Sequence, residues 1–338
     1  MTHEFKYIIE QSIQAKSNGF KSVLASVVDL DGSSYRRPGV RMLILENGAM
    51  VGAVSGGCVE KEIVLQAQSV FQTGISKMMT YDGRYRLGCE GVLYILLEEI
   101  TFETAFETAF FECLINRKPF EVISKYEKSE GVFEGIGSEV KIGNTPFSIS
   151  KIPYVNTECL TFSQSMPPCF KLIIIGAEHD AVQLCKYAAL TGWEVAIVAG
   201  VSEAKTVDYF KGANNLITTT PEGLDTLLID AYTAVVLMTH NFAYDLRYLV
   251  ALAETTPNYI GLLGPTKRRE DLLSQLIEYC PELSDKFLES IHGPAGLDIG
   301  SETPQEIAIS IVSEILAVTR NRNPKSLNEK TGRIHQKQ

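Results

Sequence analysis

The chain has 338 residues, with 31 Lys+Arg against 41 Asp+Glu, a formal charge of −10, and 45% apolar residues. This composition supports a packed core and excludes global disorder, and the length suggests about two domains of roughly 150 residues each. The acidic balance argues against a nucleic-acid partner, which would need a broad cationic footprint.

The opening MTHEFKYIIEQS lacks the basic-then-apolar layout of a signal peptide. No apolar run reaches the ~18 residues of a membrane helix, so no membrane partner is expected. Seven cysteines, an odd number spread along the chain, do not form a disulfide framework. They point to a cytoplasmic location with reduced thiols. Cys113, Cys159, Cys169, Cys185 and Cys280 read as inert apolar residues.

Residues 4–16 predict an amphipathic helix, with Phe5, Ile8, Ile9 and Ile13 on one face. FKSVLASVVDL and VRMLILENGAMVGAVS predict strands, the second folded into a hairpin at Asn47-Gly48. From Gly57 to Thr73 the period is helical, through Val59, Ile63, Ala67 and Val70. MMTY and GVLYILLEE predict strands, residues 102–115 a helix, and residues 117–152 short antiparallel strands. Residues 1–152 therefore predict an α+β domain. Residues 153–169, with three prolines and little periodicity, predict a linker.

Beyond it, strand-like KLIIIG, WEVAIVAG, NNLITT, AVVLM and NYIGLLG alternate with helical segments. Residues 170–320 thus predict a doubly wound, Rossmann-like parallel sheet. The whole chain is α/β. Residues 321–338 belong to a polar, basic tail and are expected to be disordered.

The turn after KLIIIG is where a dinucleotide's pyrophosphate would sit. Of the usual three glycines only Gly176 is present; Glu178 and Asp180 stand nearby. Each carboxylate would repel a pyrophosphate by roughly 1–3 kcal/mol at about 5 Å. The second strand ends Val198-Ala199-Gly200-Val201, without an acid for a ribose hydroxyl, which argues against NAD(P). His240 follows AVVLM at the carboxyl edge, with Asp245 placed to orient it if a helix starts at once. Gly264-Pro265-Thr266 opens a helix whose first turn carries Lys267, Arg268 and Arg269. These cations oppose the helix dipole, so either a bound anion or compensation by Glu270 and Asp271 is expected. His292 and Asp298 lie in a glycine-rich loop and remain open as ligand residues. Thr303 and Glu306 match a capping box around Pro304.

In the first domain, Ser55-Gly56-Gly57-Cys58-Val59-Glu60 joins a strand to a helix start, where amides converge on an anion and the dipole favours thiolate. Gly88-Cys89-Glu90-Gly91 is a second glycine-flanked thiol. Arg36 and Arg37 lie in the turn from Asp31 to Gly39, and Arg84 and Arg86 precede Cys89. Arginines beside hydroxyls and glycine amides suit a phosphate. Together these groups suggest a pocket for an anionic, sulfur- or metal-bearing cofactor.

The motifs GSSYRRPG, VGAVSGGCVE, LGCEG, LIIIGAEH, VVLMTHNFAYDL, YIGLLGPTKRRE and HGPAGLDIGSETPQEIAISI, in this order, resemble those of the XdhC/CoxI family of xanthine dehydrogenase accessory proteins. The resemblance implies an N-terminal XdhC/CoxI domain and a C-terminal Rossmann domain, usually as a homodimer. It also implies a maturation factor rather than a turnover enzyme. Such a factor would bind molybdenum cofactor of the molybdopterin type, support its sulfuration and deliver it to a molybdenum hydroxylase apo-enzyme, with a cysteine desulfurase as second partner. Carried over by position, Ser55, Gly56, Gly57, Cys58 and Glu60 match the Gly-Gly-Cys segment, and Cys89 and Gly91 match the second cysteine loop. His240, Gly264, His292, Gly293, Asp298 and Gly300 match the C-terminal loops. Cys58 is the expected metal contact, with Cys89 beside it. The sequence departs from the family at Glu178, Asp180 and Glu90. An NAD(P)-dependent oxidoreductase and a noncatalytic assembly adaptor are the alternatives.

Overall fold

A computed structural model describes residues 1–32, 37–54, 57–83, 91–152 and 158–329, and at Cys58, Asp225 and Thr226 the backbone alone. Arg36, Ser55, Gly56, Cys89, and with them Arg84, Arg86 and Glu90, lie outside the described residues. The chain divides into two compact units, Met1–Pro168 and Cys169–Gln338.

Unit 1 is built on a six-stranded antiparallel sheet ordered β3-β2-β1-β5-β4-β7. Its strands are β1 (Ser22–Asp31), β2 (Arg41–Leu45), β3 (Met50–Gly52), β4 (Lys77–Asp82), β5 (Val92–Ile100) and β7 (Gly131–Val132). β1 lies at the centre and is apolar on both faces. Val23, Ala25 and Val27 pack against Val59, Ile63, Ala67 and Val70 of α2 (Cys58–Thr73). Leu24, on the other face, packs with Phe5, Ile8 and Ile9 of α1 (Thr2–Ser17) and Phe106 and Phe110 of α3 (Thr104–Ile115). The β2–β3 hairpin turns at Asn47-Gly48, where Gly48 has φ +86° and Asn47 Oδ1 accepts from Ala49 N.

A second sheet, ordered β10-β6-β8-β9, is antiparallel throughout. It contains β6 (Phe120–Tyr126), β8 (Gly137–Ile142), β9 (Thr145–Ser148) and β10 (Leu160–Met166). β10 corrects the expectation of a linker over 153–169. Seven of those residues pair with β6, from Leu160↔Tyr126 to Met166↔Phe120. Its only buried positions are Gln164 and Met166. A polar residue facing inward removed the apolar alternation by which a strand is read.

Unit 2 is a parallel sheet ordered β13-β12-β11-β14-β15-β16. Its strands are β11 (Lys171–Ile175), β12 (Glu194–Ala199), β13 (Asn215–Thr218), β14 (Thr233–Leu237), β15 (Tyr259–Leu262) and β16 (Ile291–His292). Counted within the unit this order is 3-2-1-4-5-6, the Rossmann arrangement, with the direction reversing between β11 and β14. Leu172 and Ile174 face α4 (His179–Leu190) and α8 (Pro304–Thr319). Ile173 and Ile175 face α5 (Phe242–Leu252), α6 (Thr266–Tyr279) and α7 (Asp285–Glu289). Burial on both faces explains why these strands read as continuous apolar runs. Thr303 and Glu306 form the expected capping box on α8. Residues 320–329 are exposed and include a short helical turn, Leu327–Glu329. Residues 330–338 lie outside the described residues. No helix among the described residues is long and apolar enough to cross a membrane.

Candidate functional site

In unit 1 the candidate site is the start of α2. Strand β3 ends at Gly52, and α2 begins with Cys58 as its first residue. Gly57, the residue before it, has φ +93°, and a Cβ there would meet nothing within 4 Å. The left-handed conformation favours glycine, and Gly57 itself is exposed. A glycine N-cap has no side chain to satisfy the first amides. The buried Glu60 reaches back to the cap's own amide, its Oε2 accepting from Gly57 N. Glu60, expected at the cofactor, thus closes the helix cap.

In unit 2 the reversal point lies between the carboxyl ends of β11 and β14. Gly176 ends β11 with φ +135°, and a Cβ there would come within 2.4 Å of Met238 O. The glycine is needed for the close approach of strand to strand. Across the crevice His240 Nε2 lies 3.6 Å from Asp180 Oδ2 in the first turn of α4. His240 itself has φ +56°, the sharp bend that lets α5 start at once under its Asn241 cap.

Asp245 does not orient His240. It points inward, 2% exposed, where its carboxylate accepts from Thr239 Oγ1 at 2.6 Å and pairs with Arg268 Nη2 at 2.7 Å. A first-turn residue facing the core is reached from α6, whereas the left-handed His240 is turned toward α4. The cations of α6 separate accordingly. Arg268 is compensated by Asp245 rather than by Glu270 or Asp271, and its guanidinium lies over the Phe242 ring. Gly264, with φ +117°, makes room for it, since a Cβ would lie 2.7 Å from Arg268 Cδ. Arg269 packs its methylenes over Gly293, and Lys267 is exposed.

His292 stacks on Tyr259, ring centroids 4.6 Å apart, and its Nδ1 lies 3.3 Å from Glu314 Oε1. Glu314 Oε2 also accepts from Tyr259 OH at 2.6 Å and from Gly296 N at 2.7 Å. Burial raises the Glu314 pKa, but the bonds from His292, Tyr259 and Gly296 outweigh it and leave the value lowered. Its contribution to stability is therefore full above the ordinary glutamate range and lost as pH falls through the lowered value. This network anchors the loop that continues to Asp298, which is exposed. Glu314 was missed by the sequence reading, although a lone carboxylate inside the apolar run IAISIVSEILAV was its available signal. Tyr259→Phe removes one donor to a charged acceptor and is expected to cost about 1.5–3 kcal/mol. Urea unfolding followed by the fluorescence of Trp193, the only tryptophan, measures it; an unchanged midpoint would refute the anchoring role. Among the described residues no group of three or more His, Cys, Asp or Glu is arranged to hold a metal ion.

Comparison with known proteins agrees with this architecture. The XdhC Rossmann domain matches residues 172–315, and the XdhC and CoxI family matches residues 15–82. A probable xanthine dehydrogenase subunit of Bacillus subtilis is 31% identical over 323 residues, covering 89% of this chain and 94% of the relative. The molybdenum cofactor insertion chaperone PaoD of Escherichia coli is 24% identical, covering 94% of this chain and 90% of PaoD. A crystal structure described as a xanthine dehydrogenase from Bacillus halodurans superposes with a TM-score of 0.76 at 27% identity, over 94% of this chain and 96% of that one. The chain belongs to the XdhC and CoxI family.

Proposed function

We propose that this protein is a maturation factor that binds molybdenum cofactor as cargo and delivers it to a xanthine dehydrogenase-type molybdenum hydroxylase. The observation that carries the proposal is the backbone at Gly57-Cys58, which puts a cysteine at the first position of a 16-residue helix beside an uncovered glycine. Helix starts attract anions and favour thiolate over thiol, and thiolates are soft donors suited to molybdenum and to sulfur handling. Similarity to PaoD over nearly the full length of both chains supports the same cargo.

On this reading Cys58, with Cys89, meets the metal, while Ser55, Gly56, Gly57 and Arg36 receive the pterin phosphate. In the Rossmann unit the exposed His240, Lys267 and Asp298 are the candidate contacts. Gly176, Gly264, Arg268 and His292 hold their loops in place, as Glu60 holds the start of α2. The protein works as a homodimer in the cytoplasm, and a cysteine desulfurase supplies the sulfur.

Protein purified from a molybdate-supplied host should retain pterin, measured as its oxidised fluorescent product, and should activate apo-hydroxylase. Cys58→Ser should lower that activation by at least about tenfold, the lower range for disturbing a metal's surroundings, with the far-UV spectrum unchanged. Normal activation by Cys58→Ser would remove the thiol's role. Wild-type protein that neither retains nor transfers pterin would overturn the reading itself.

A further inference from the structure

A cavity of about 400 Å³ lies in unit 2 at the edge of the sheet opposite the reversal point. Ala231, Asn258 and Ser290, which line it, stand just before β14, β15 and β16, so it sits under the amino ends of three neighbouring strands. Its volume is in the range of small-molecule sites. Two helices finish beside it: α5 at Leu252, shortly before the lining Thr255, and α8 at Thr319, next to the lining Val318. Helix carboxyl ends carry partial negative charge and favour a cation.

His292 lines the same cavity. Glu314 engages its Nδ1, which in the neutral ring leaves Nε2 as a lone-pair acceptor. The His292 side chain is 26% exposed, and its Nε2 has no hydrogen-bond partner among the described residues. Lys286 and Glu289 line the cavity one turn apart on α7. Both are exposed, and neither forms an ion pair among the described residues. The buried Pro257 and Phe287, with the half-buried Val318, give the cavity an apolar wall.

We propose that this cavity binds a free α-amino acid with an apolar side chain, as its zwitterion. The ammonium group goes to Glu289 and the Nε2 lone pair, where the two helix ends add their negative charge. The carboxylate goes to Lys286, and the side chain lies on Pro257, Phe287 and Val318. A phosphate-bearing ligand fits less well, since it leaves Glu289 unanswered and faces two helix carboxyl ends. A simple amine leaves Lys286 unanswered. Only a ligand with both charges and an apolar arm matches all of the groups present.

Melting of the full chain with millimolar L-leucine, L-methionine or L-phenylalanine tests the site, and no molybdenum cofactor is needed. At least one should raise Tm by roughly 2–4 °C, the response of a domain of this size to a modest gain in stability. The N-acetylated and the amidated forms of that amino acid, each lacking one charge, should leave Tm where it is. In calorimetric titration Lys286→Met and Glu289→Gln, both at exposed positions, should each weaken binding by about tenfold or more, as for a lost bond to a charged group. The chain has five histidines, so the nitrogen resonances of His292 can be assigned with a His292→Gln variant, and Nε2 should shift on binding. Should His292→Gln fail to fold, the two α7 variants decide. No rise in Tm with any of the three amino acids, a rise kept by the blocked forms, or affinity unchanged in both α7 variants would overturn the proposal.

Discussion

Replacing Asp245 with alanine is expected to destabilise the Rossmann unit by about 3–5 kcal/mol, the usual loss when one member of a buried ion pair is removed. Asp245 ties three segments together: its own helix α5, the Thr239 turn after β14, and α6 through Arg268. Without it, Thr239 loses its acceptor and Arg268, largely covered, loses its counter-charge. The double variant Asp245→Ala/Arg268→Ala should cost less than the sum of the single changes, with a coupling of about 0.5–3 kcal/mol. Urea titration read by Trp193 fluorescence reports on this unit, since the chain's only tryptophan lies within it. Additive single effects would show that the pair contributes nothing beyond packing.

Glu98→Ala should be comparably damaging to unit 1, at about 3–5 kcal/mol, because buried donors from Ser138 and Ser150 would lose their acceptor. The loss should appear in far-UV circular dichroism. Glu98 also has a pH signature. Burial raises its pKa, more than the serine bonds and the Arg41 charge lower it. The folded carboxyl therefore binds its proton more tightly than the unfolded one. Its contribution is full below the unfolded value and lost as pH rises through the folded value. Glu98→Gln cannot ionise, so it should gain on wild type as pH rises from about 4 to about 7, across and above the ordinary glutamate range. Stability curves that stay parallel over this range would contradict the raised value.

Periodicity carried most of the secondary structure. The predicted helices near 4–16, 57–73 and 178–191 appear as α1, α2 and α4, because each buries one regular stripe against a sheet. β10 was hidden because its inward residue Gln164 is polar and its pairing partner β6 is distant in the chain. At the candidate site, Gly57 and Gly176 stood out in the sequence, but not their different tasks. One takes the left-handed turn into a helix, and the other admits a neighbouring carbonyl.

The order of apolar runs and breakers was enough to determine an α+β half followed by a doubly wound half, since periodicity is a local property of the chain. Tertiary structure alone decided that Asp245 serves Arg268, that His240 meets Asp180, that Glu314 gathers His292, Tyr259 and Gly296, and that Arg41 is buried with Nε and Nη2 unpartnered among the described residues. The physical reason is that charges pair through space. Their partners come from strands and helices far apart in sequence, and the orientation that selects one carboxylate over another exists only once those elements have packed.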